Sequence, residues 1–389
     1  MLLDQAANNP TEEQPLDQER APLLKKKSSL RAASKETSFT SLEGAFRKTG
    51  GVGKFHTLMF ATFALFLTTG EVYNSLIMYY NKVPDLLCTM KTGEKIECDW
   101  EMACTSGNTD IIAFEPDMNK WDTLDNLVSR THLICQPKRY AGNFGVFLTL
   151  GTAFGSLILP QSADVMGRKG VLLFAILLSV VLSVITMLSQ NAIIAYVTCF
   201  YWGFTVICRY TIVFVWASEL YPPSQGSNLT MALRAMIGAP FFLMNAYFMF
   251  FSNSISPILY AITAVNIVIL AIVFTYPESP PWLLSIGRED EAIESFRRIA
   301  QLNSENEPSI KKLNSSRSHN IAPAAPRSEV MRDPGIRMNL TLMTILWTGT
   351  TFSQYLTSYT LKNLPGDFYT NVYASTASEL IAIILSGAI

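Results

Sequence analysis

"GVLLFAILLSVVLSVITML", Gly170 to Leu188, is the stretch on which the fold turns. It contains no charged residue. An apolar run of about 18 or more residues crosses a bilayer, whereas a buried strand of a soluble domain needs only about 4–8. Working outward, eight such blocks appear, at 55–80, 140–163, 170–188, 192–217, 228–251, 257–276, 338–361 and 372–389. The first lies too far into the chain, and is too long, to be a cleaved signal peptide. Lipid offers the backbone no hydrogen-bond partners, so each span is expected to be helical. Charged residues make up only 16% of the chain, against about a quarter in soluble domains. The fold class that follows is an all-α polytopic membrane protein. The net charge of −1 says nothing of partners, and nothing in the sequence suggests a nucleic-acid-binding surface.

The polar segments orient the spans. Residues 1–54 form a polar tail with Lys25, Lys26, Lys27, Arg31, Lys35, Arg47, Lys48 and Lys54, and basic residues beside a first span favour the cytoplasm. Alternation then puts 81–138 outside, and Arg168, Lys169 and the basic segment 277–337 inside. Four of the six cysteines, Cys88, Cys98, Cys104 and Cys135, fall in 81–138, the one long segment expected in an oxidising compartment. They predict two disulfides, with three pairings open. Cys199 and Cys208 lie in the fourth span and read as packing residues. The sequons at Asn228, Asn314 and Asn339 fall on cytoplasmic or membrane positions and are expected to stay unglycosylated. In the tail, "ERAPLL" (Glu19 to Leu24) fits an acidic dileucine pattern, with Glu19, Leu23 and Leu24 offered to sorting adaptors. The expected location is the plasma membrane, with endosomal or lysosomal membranes as the alternative.

Between spans two and three lies "SADVMGRKG" (Ser162 to Gly170), a tight turn with an Asp at one helix end and Arg-Lys at the next. The acid can cap a helix or pair with a base, locking helices together on one side. Here the chain resembles the major facilitator superfamily, whose loop has the pattern G-x-x-x-D-R-x-G-R-K. Asp164, Gly167, Arg168 and Lys169 match; Pro160 and Val165 depart from it. Further matches resemble the organic cation, anion and carnitine transporters among the solute carriers: "GGVGKFH" before span one, "PDLLC" (Pro84 to Cys88), "SELYPP" (Ser218 to Pro223), "PESPPWLLSIGR" after span six, and "LPGDFYTN" (Leu364 to Asn371) followed by Glu379. Their order and sides agree from about residue 50 onward.

The resemblance implies a layout: a six-helix half over 55–276, a cytoplasmic linker over 277–337 with an amphipathic helix from Glu289 to Ala300, and the first two helices of a second half over 338–389. It also implies a gate cluster of Asp164, Gly167, Arg168, Lys169, Glu219 and Glu278. Where the family has arginines, this chain has Val165, Gly226 and Pro281, so Asp164, Glu219 and Glu278 are expected to lack their usual partners. In "YPESPPWLLSIGRED" (Tyr276 to Asp290) the prolines end span six, with Trp282 at the membrane interface.

Ionisable residues inside spans are costly and mark function by default. Glu71, Arg209 and Glu379 are the candidates for a central cavity binding charged solutes; Arg234 reads better as snorkelling. Against this stands the reading in which Glu71 and Arg209 simply neutralise one another. Tyr210 and Phe214 on span four, and Tyr355 and Tyr359 on span seven, could supply cation–π walls. Phe352, Tyr355 and Tyr359 share one helical face. Where the anion branch of the family has a Lys, this chain has Ile383, which favours cations or zwitterions over anions. The dispersed His56, His132 and His319 offer no metal set, no catalytic constellation is visible, and neither a cofactor nor an enzyme activity is expected. The expected function is secondary transport of small organic ions by alternating access, in a chain truncated after its eighth helix. The alternatives are a non-transporting scaffold or sensor on the same fold, and a helical receptor with its N-terminus outside.

Overall fold

The computed structural model describes residues 41–80, 84–104, 110–120, 123–305, 310, 331–361 and 364–388. The Glu19-Leu23-Leu24 pattern, Asn314 and His319 lie outside the described residues, as do the side chains of Tyr359 and Ile383. A short helix α1 (Leu42–Lys48), capped by the Ser41 hydroxyl, precedes the first long helix α2 (Lys54–Tyr80). After the segment between them come α5 (Lys138–Met166), α6 (Arg168–Leu188), α7 (Ala192–Tyr210) with its continuation α8 (Ile212–Leu220), α9 (Gly226–Phe250) and α10 (Ser256–Thr275). Two shorter helices, α11 (Pro280–Ser285) and α12 (Glu289–Asn303), lead to α13 (Pro334–Thr360) and α14 (Phe368–Ala388). All eight apolar blocks are therefore helical.

Six helices among the described residues are long and apolar enough to cross a membrane, from Lys54–Ile77 to Ser256–Thr275. The Thr- and Ser-rich α13 and the helix α14 fall outside that set. The fourth span is a single helix broken at Thr211, immediately after Arg209 and Tyr210. The tightest crossing is α5 on α7. A Cβ on Gly151 would strike the Phe200 carbonyl and one on Gly203 the Leu148 carbonyl, so only glycine lets these backbones touch.

Between α2 and α5 the chain builds a cap. Strands β1 (Leu86–Met90), β2 (Lys95–Cys98) and β3 (Ile111–Pro116) form an antiparallel sheet in the order β2-β1-β3. The helices α3 (Trp100–Cys104) and α4 (Leu127–Arg130) flank it. The disulfides join Cys88 to Cys98 and Cys104 to Cys135, one of the three pairings left open by the sequence. The cap is tied to the turn between α9 and α10: Asp125 N–H donates to Asn253 O (2.9 Å), Ser254 donates to Asp125 (3.1 Å), and Arg130 pairs with Asp125 (2.6 Å) and donates to Ser256. Burial pushes the Asp125 carboxyl up, but the Arg130 guanidinium and the Ser254 and Ser129 hydroxyls outweigh it, and the net shift is downward.

At the other end, α12 lays its apolar face on α1 and the start of α2. Phe296 meets Phe46 edge-on at 5.1 Å, and Asn303 both donates to Thr49 O (2.8 Å) and accepts from Phe55 N–H (3.0 Å). His56 is a core histidine, with Nδ1 accepting from Gly53 N–H (3.3 Å) and Nε2 bonded to Leu220 O (3.1 Å).

Candidate functional site

Two apolar clusters are stacked along the bundle. One, toward Arg168, contains Phe66, Leu67, Ile176, Cys208 and Ile269; the other, toward the cap, contains Val72, Leu182, Trp202 and Ile262. The layer between them is polar and buried: Thr69 and Glu71 on α2, Ser179 on α6, Thr205 and Arg209 on α7, Asn266 on α10. Of these, sequence reasoning singled out only Glu71 and Arg209. The signal for the rest was present, because each interrupts an otherwise apolar block.

Arg209 is 1% exposed and commits its terminal nitrogens inside this layer. Nη1 donates to Phe66 O (2.6 Å) and Thr69 Oγ1 (2.8 Å), and Nη2 donates to Ser179 Oγ (3.3 Å). Its guanidinium lies over the Phe66 ring at 3.9 Å and near Tyr73 at 6.0 Å, while Tyr73 bonds Ser183. A Cβ on Gly70 would collide with the Arg209 stem, so the glycine makes the arginine's room. Among the described residues no ion pair joins Arg209 to a carboxylate, and Arg209 Nε and Asn266 Nδ2 have no hydrogen-bond partner. Mutual neutralisation of Glu71 and Arg209 by direct contact is therefore not what the structure has. Glu71, 3% exposed, lies beside Asn74 and within electrostatic range of both Glu379 and Arg209.

A cavity of about 350 Å3 opens where α9, α13 and α14 meet. Its walls carry Ser353, Gln354, Thr357, Ser375, Thr376, Ser378 and Glu379, with Phe241, Leu361 and Val372. Glu379 is the acid on the wall, and Glu71 stands within electrostatic range of Glu379 and of Tyr355. The structure thus gathers Glu71, Tyr355 and Glu379 and sets Arg209 behind Glu71 in the polar layer. Tyr210 and Phe214 are partly buried and absent from the cavity wall; Phe214 instead lies under exposed Arg234 at 5.8 Å. Phe352 is exposed, so it does not share its surroundings with half-buried Tyr355.

The second polar cluster lies at the end of the bundle away from the cap. Arg168 holds Glu219 with two bonds, Nε to Oε2 at 3.1 Å and Nη2 to Oε1 at 3.2 Å, and also reaches Asp164 at 3.2 Å. Glu278 accepts from the backbone N–H groups of Arg168 (3.2 Å) and Lys169 (3.2 Å) at the first turn of α6 and from Ser279 N–H (2.9 Å). Free N–H groups at a helix N-terminus are a natural carboxylate site. Gly167 has φ +99°, and a Cβ there would strike the Glu278 carboxylate. Lys169 donates to Phe274 O at 2.8 Å. The family's arginines are absent at Val165, Gly226 and Pro281, yet the three carboxylates find other partners: Arg168 serves Asp164 and Glu219, and a helix terminus serves Glu278. Burial raises the Glu278 carboxyl above its usual range despite these donors. Trp282, expected at the membrane interface, is buried and donates to Asp164 O at 2.8 Å.

Comparison with known proteins places this sequence in a transporter family. A family model described as "Sugar (and other) transporter" matches residues 92–389. The chain is 27% identical over 279 residues to an organic cation/carnitine transporter 2 of Rattus norvegicus, covering 69% of this chain and 49% of that protein. It is 24% identical over 267 residues to an organic cation transporter protein of Drosophila melanogaster, covering 66% and 48%. The chain spans about half the length of the curated relatives it matches. A partially occluded, inward-open xylose transporter of E. coli aligns over 65% of this chain and 57% of its own, at 14% identity and a TM-score of 0.42.

Proposed function

Because the chain belongs to the sugar (and other) transporter family of the major facilitator superfamily, as an integral multi-pass membrane protein, we propose that it moves small organic cations or zwitterions by alternating access. The cavity between α9, α13 and α14 carries this reading. Its walls hold hydroxyls, an amide and one carboxyl group, with no lysine or arginine, and Glu71 adds a second acidic group within electrostatic range. In a low-dielectric interior an acidic group that ionises beside a cation attracts it strongly. A cation is drawn to Glu379, and the surrounding hydroxyls receive the polar part of a zwitterion. The relatives' names, which mention organic cations and carnitine, point the same way.

The basic N-terminal tail and the disulfide cap support an orientation with the tail inside and the cap outside. Segment 277–337 is then the cytoplasmic linker, and the plasma membrane the location, with Glu19, Leu23 and Leu24 offered to sorting adaptors. The test is uptake of radiolabelled tetraethylammonium and carnitine by cells expressing the full-length protein. Uptake above background is expected, falling on the order of 100-fold in Glu379→Gln, the magnitude seen when one electrostatic group is removed. Absence of uptake for cations, zwitterions and anions alike would leave a non-transporting scaffold or sensor instead.

A further inference from the structure

At the cap end of the bundle, one side chain joins three parts of the chain. Asn245 on α9 is fully buried. Its Oδ1 accepts from the Tyr79 hydroxyl at 3.0 Å, and its Nδ2 donates to the carbonyl of Tyr369, in the first turn of α14, at 2.9 Å. The carbonyl of Tyr79 in turn accepts from Asn126 Nδ2 of the cap at 2.8 Å. Packing reinforces the junction: the Tyr79 ring lies 4.5 Å from Phe248, and Phe242 lies 5.8 Å from Tyr373. Tyr369 and Val372 are buried here. Farther from the cap the same region is open, since Glu379 lines the cavity and residues 331–354 are exposed.

We propose that Asn245 is the positioning residue of a gate at the cap-side mouth of the cavity, its amide bridging Tyr79 and Tyr369 while the cap steadies Tyr79 through Asn126. The inference rests on the transporter reading of the cavity. An amide suits the place because it must accept from a hydroxyl and donate to a carbonyl at once, which neither a carboxylate nor an aliphatic side chain does. In a buried site both bonds are costly to leave unmade, so the junction is either closed and satisfied or opened to water. Under alternating access, α2 and α9 move with the first half and α14 with the second. A bridge between the halves is therefore broken once per cycle, whereas a tie within one half is not.

The test places a reporter cysteine at Ser375, on the cavity wall, in the full-length protein, and measures labelling by a membrane-impermeant thiol reagent from each side. Asn245→Leu removes both bonds; Tyr79→Phe removes one and keeps the ring on Phe248. Cap-side labelling is expected to rise roughly 5–30-fold in Asn245→Leu, the shift that follows from losing one or two buried hydrogen bonds, and less in Tyr79→Phe. Labelling from the opposite side is expected to fall in parallel; a merely loosened fold would raise both. Unchanged cap-side labelling in the two variants overturns the gate, and Tyr79→Phe alone decides if Asn245→Leu fails to fold. Uptake measured alongside separates the readings. Labelling that shifts in a protein without transport sinks the transport reading alone; transport with unshifted labelling sinks the gate alone.

Discussion

Two arginines carry opposite lessons. Arg168 sits at the end of the bundle, 11% exposed, and satisfies two carboxylates, with a third carboxylate capping the helix it begins. Arg209 sits in the middle of the bundle, wholly buried over the Phe66 ring, and its hydrogen bonds go only to a carbonyl and two hydroxyls. Those hydroxyls have acceptors of their own: Thr69 donates to Phe66 O (2.9 Å) and Ser179 to Ala175 O (2.8 Å). Removing Arg168 strands part-buried Glu219, though not water-exposed Asp164; removing Arg209 strands none of its hydroxyls. A buried charge with no partner that depends on it is a poor stability device, and an ionisable residue inside a span is a functional candidate by default.

The largest expected effect tests this directly. Arg209→Met should lower uptake on the order of 100-fold while leaving thermal stability in detergent unchanged or raised. A steep fall in melting temperature would make Arg209 a structural residue after all. The next effect belongs to the other arginine. Arg168→Ala should cost about 1–3 kcal/mol, since Glu219 loses a charged partner while half-buried; stability equal to the parent would break the contrast. Gly167→Ala should cost about 1–2 kcal/mol, because an L side chain is strained at positive φ and its Cβ meets Glu278.

The smallest effect is one of pH. The Glu278 carboxyl is raised by burial, so the folded state binds its proton more readily than the unfolded chain does. Its contribution is full below the ordinary carboxylate range near about 4.3 and is lost as pH rises through the raised value. Asp125, lowered by Arg130, has the opposite sign: its contribution is full above about 4 and is lost as pH falls. Melting temperature followed against pH should therefore flatten on the mildly acidic to neutral side in Glu278→Gln and on the acidic side in Asp125→Asn. Identical profiles for both variants would remove this distinction between the two ends of the bundle.

The amino-acid order was enough for the helical spans, the segment that bears the disulfides and the family, because hydropathy, charge and motif spacing are local properties of the chain. It located Glu71, Arg209, Arg168 and Glu278 for the same reason: a charge in or beside an apolar run is visible without a fold. Tertiary structure alone decided which groups meet. Cys88 joins Cys98 because a β-hairpin brings them together; Glu278 lost its expected arginine at Pro281 yet found the first turn of α6. Arg209 turned to Phe66, Thr69 and Ser179, and Tyr210 and Phe214 turned away from the cavity wall. Asn245, unremarkable in its apolar block, became the bridge between Tyr79 and Tyr369. Partners of this kind depend on helix crossings and on which way each side chain leaves its helix, and no single segment of sequence encodes them.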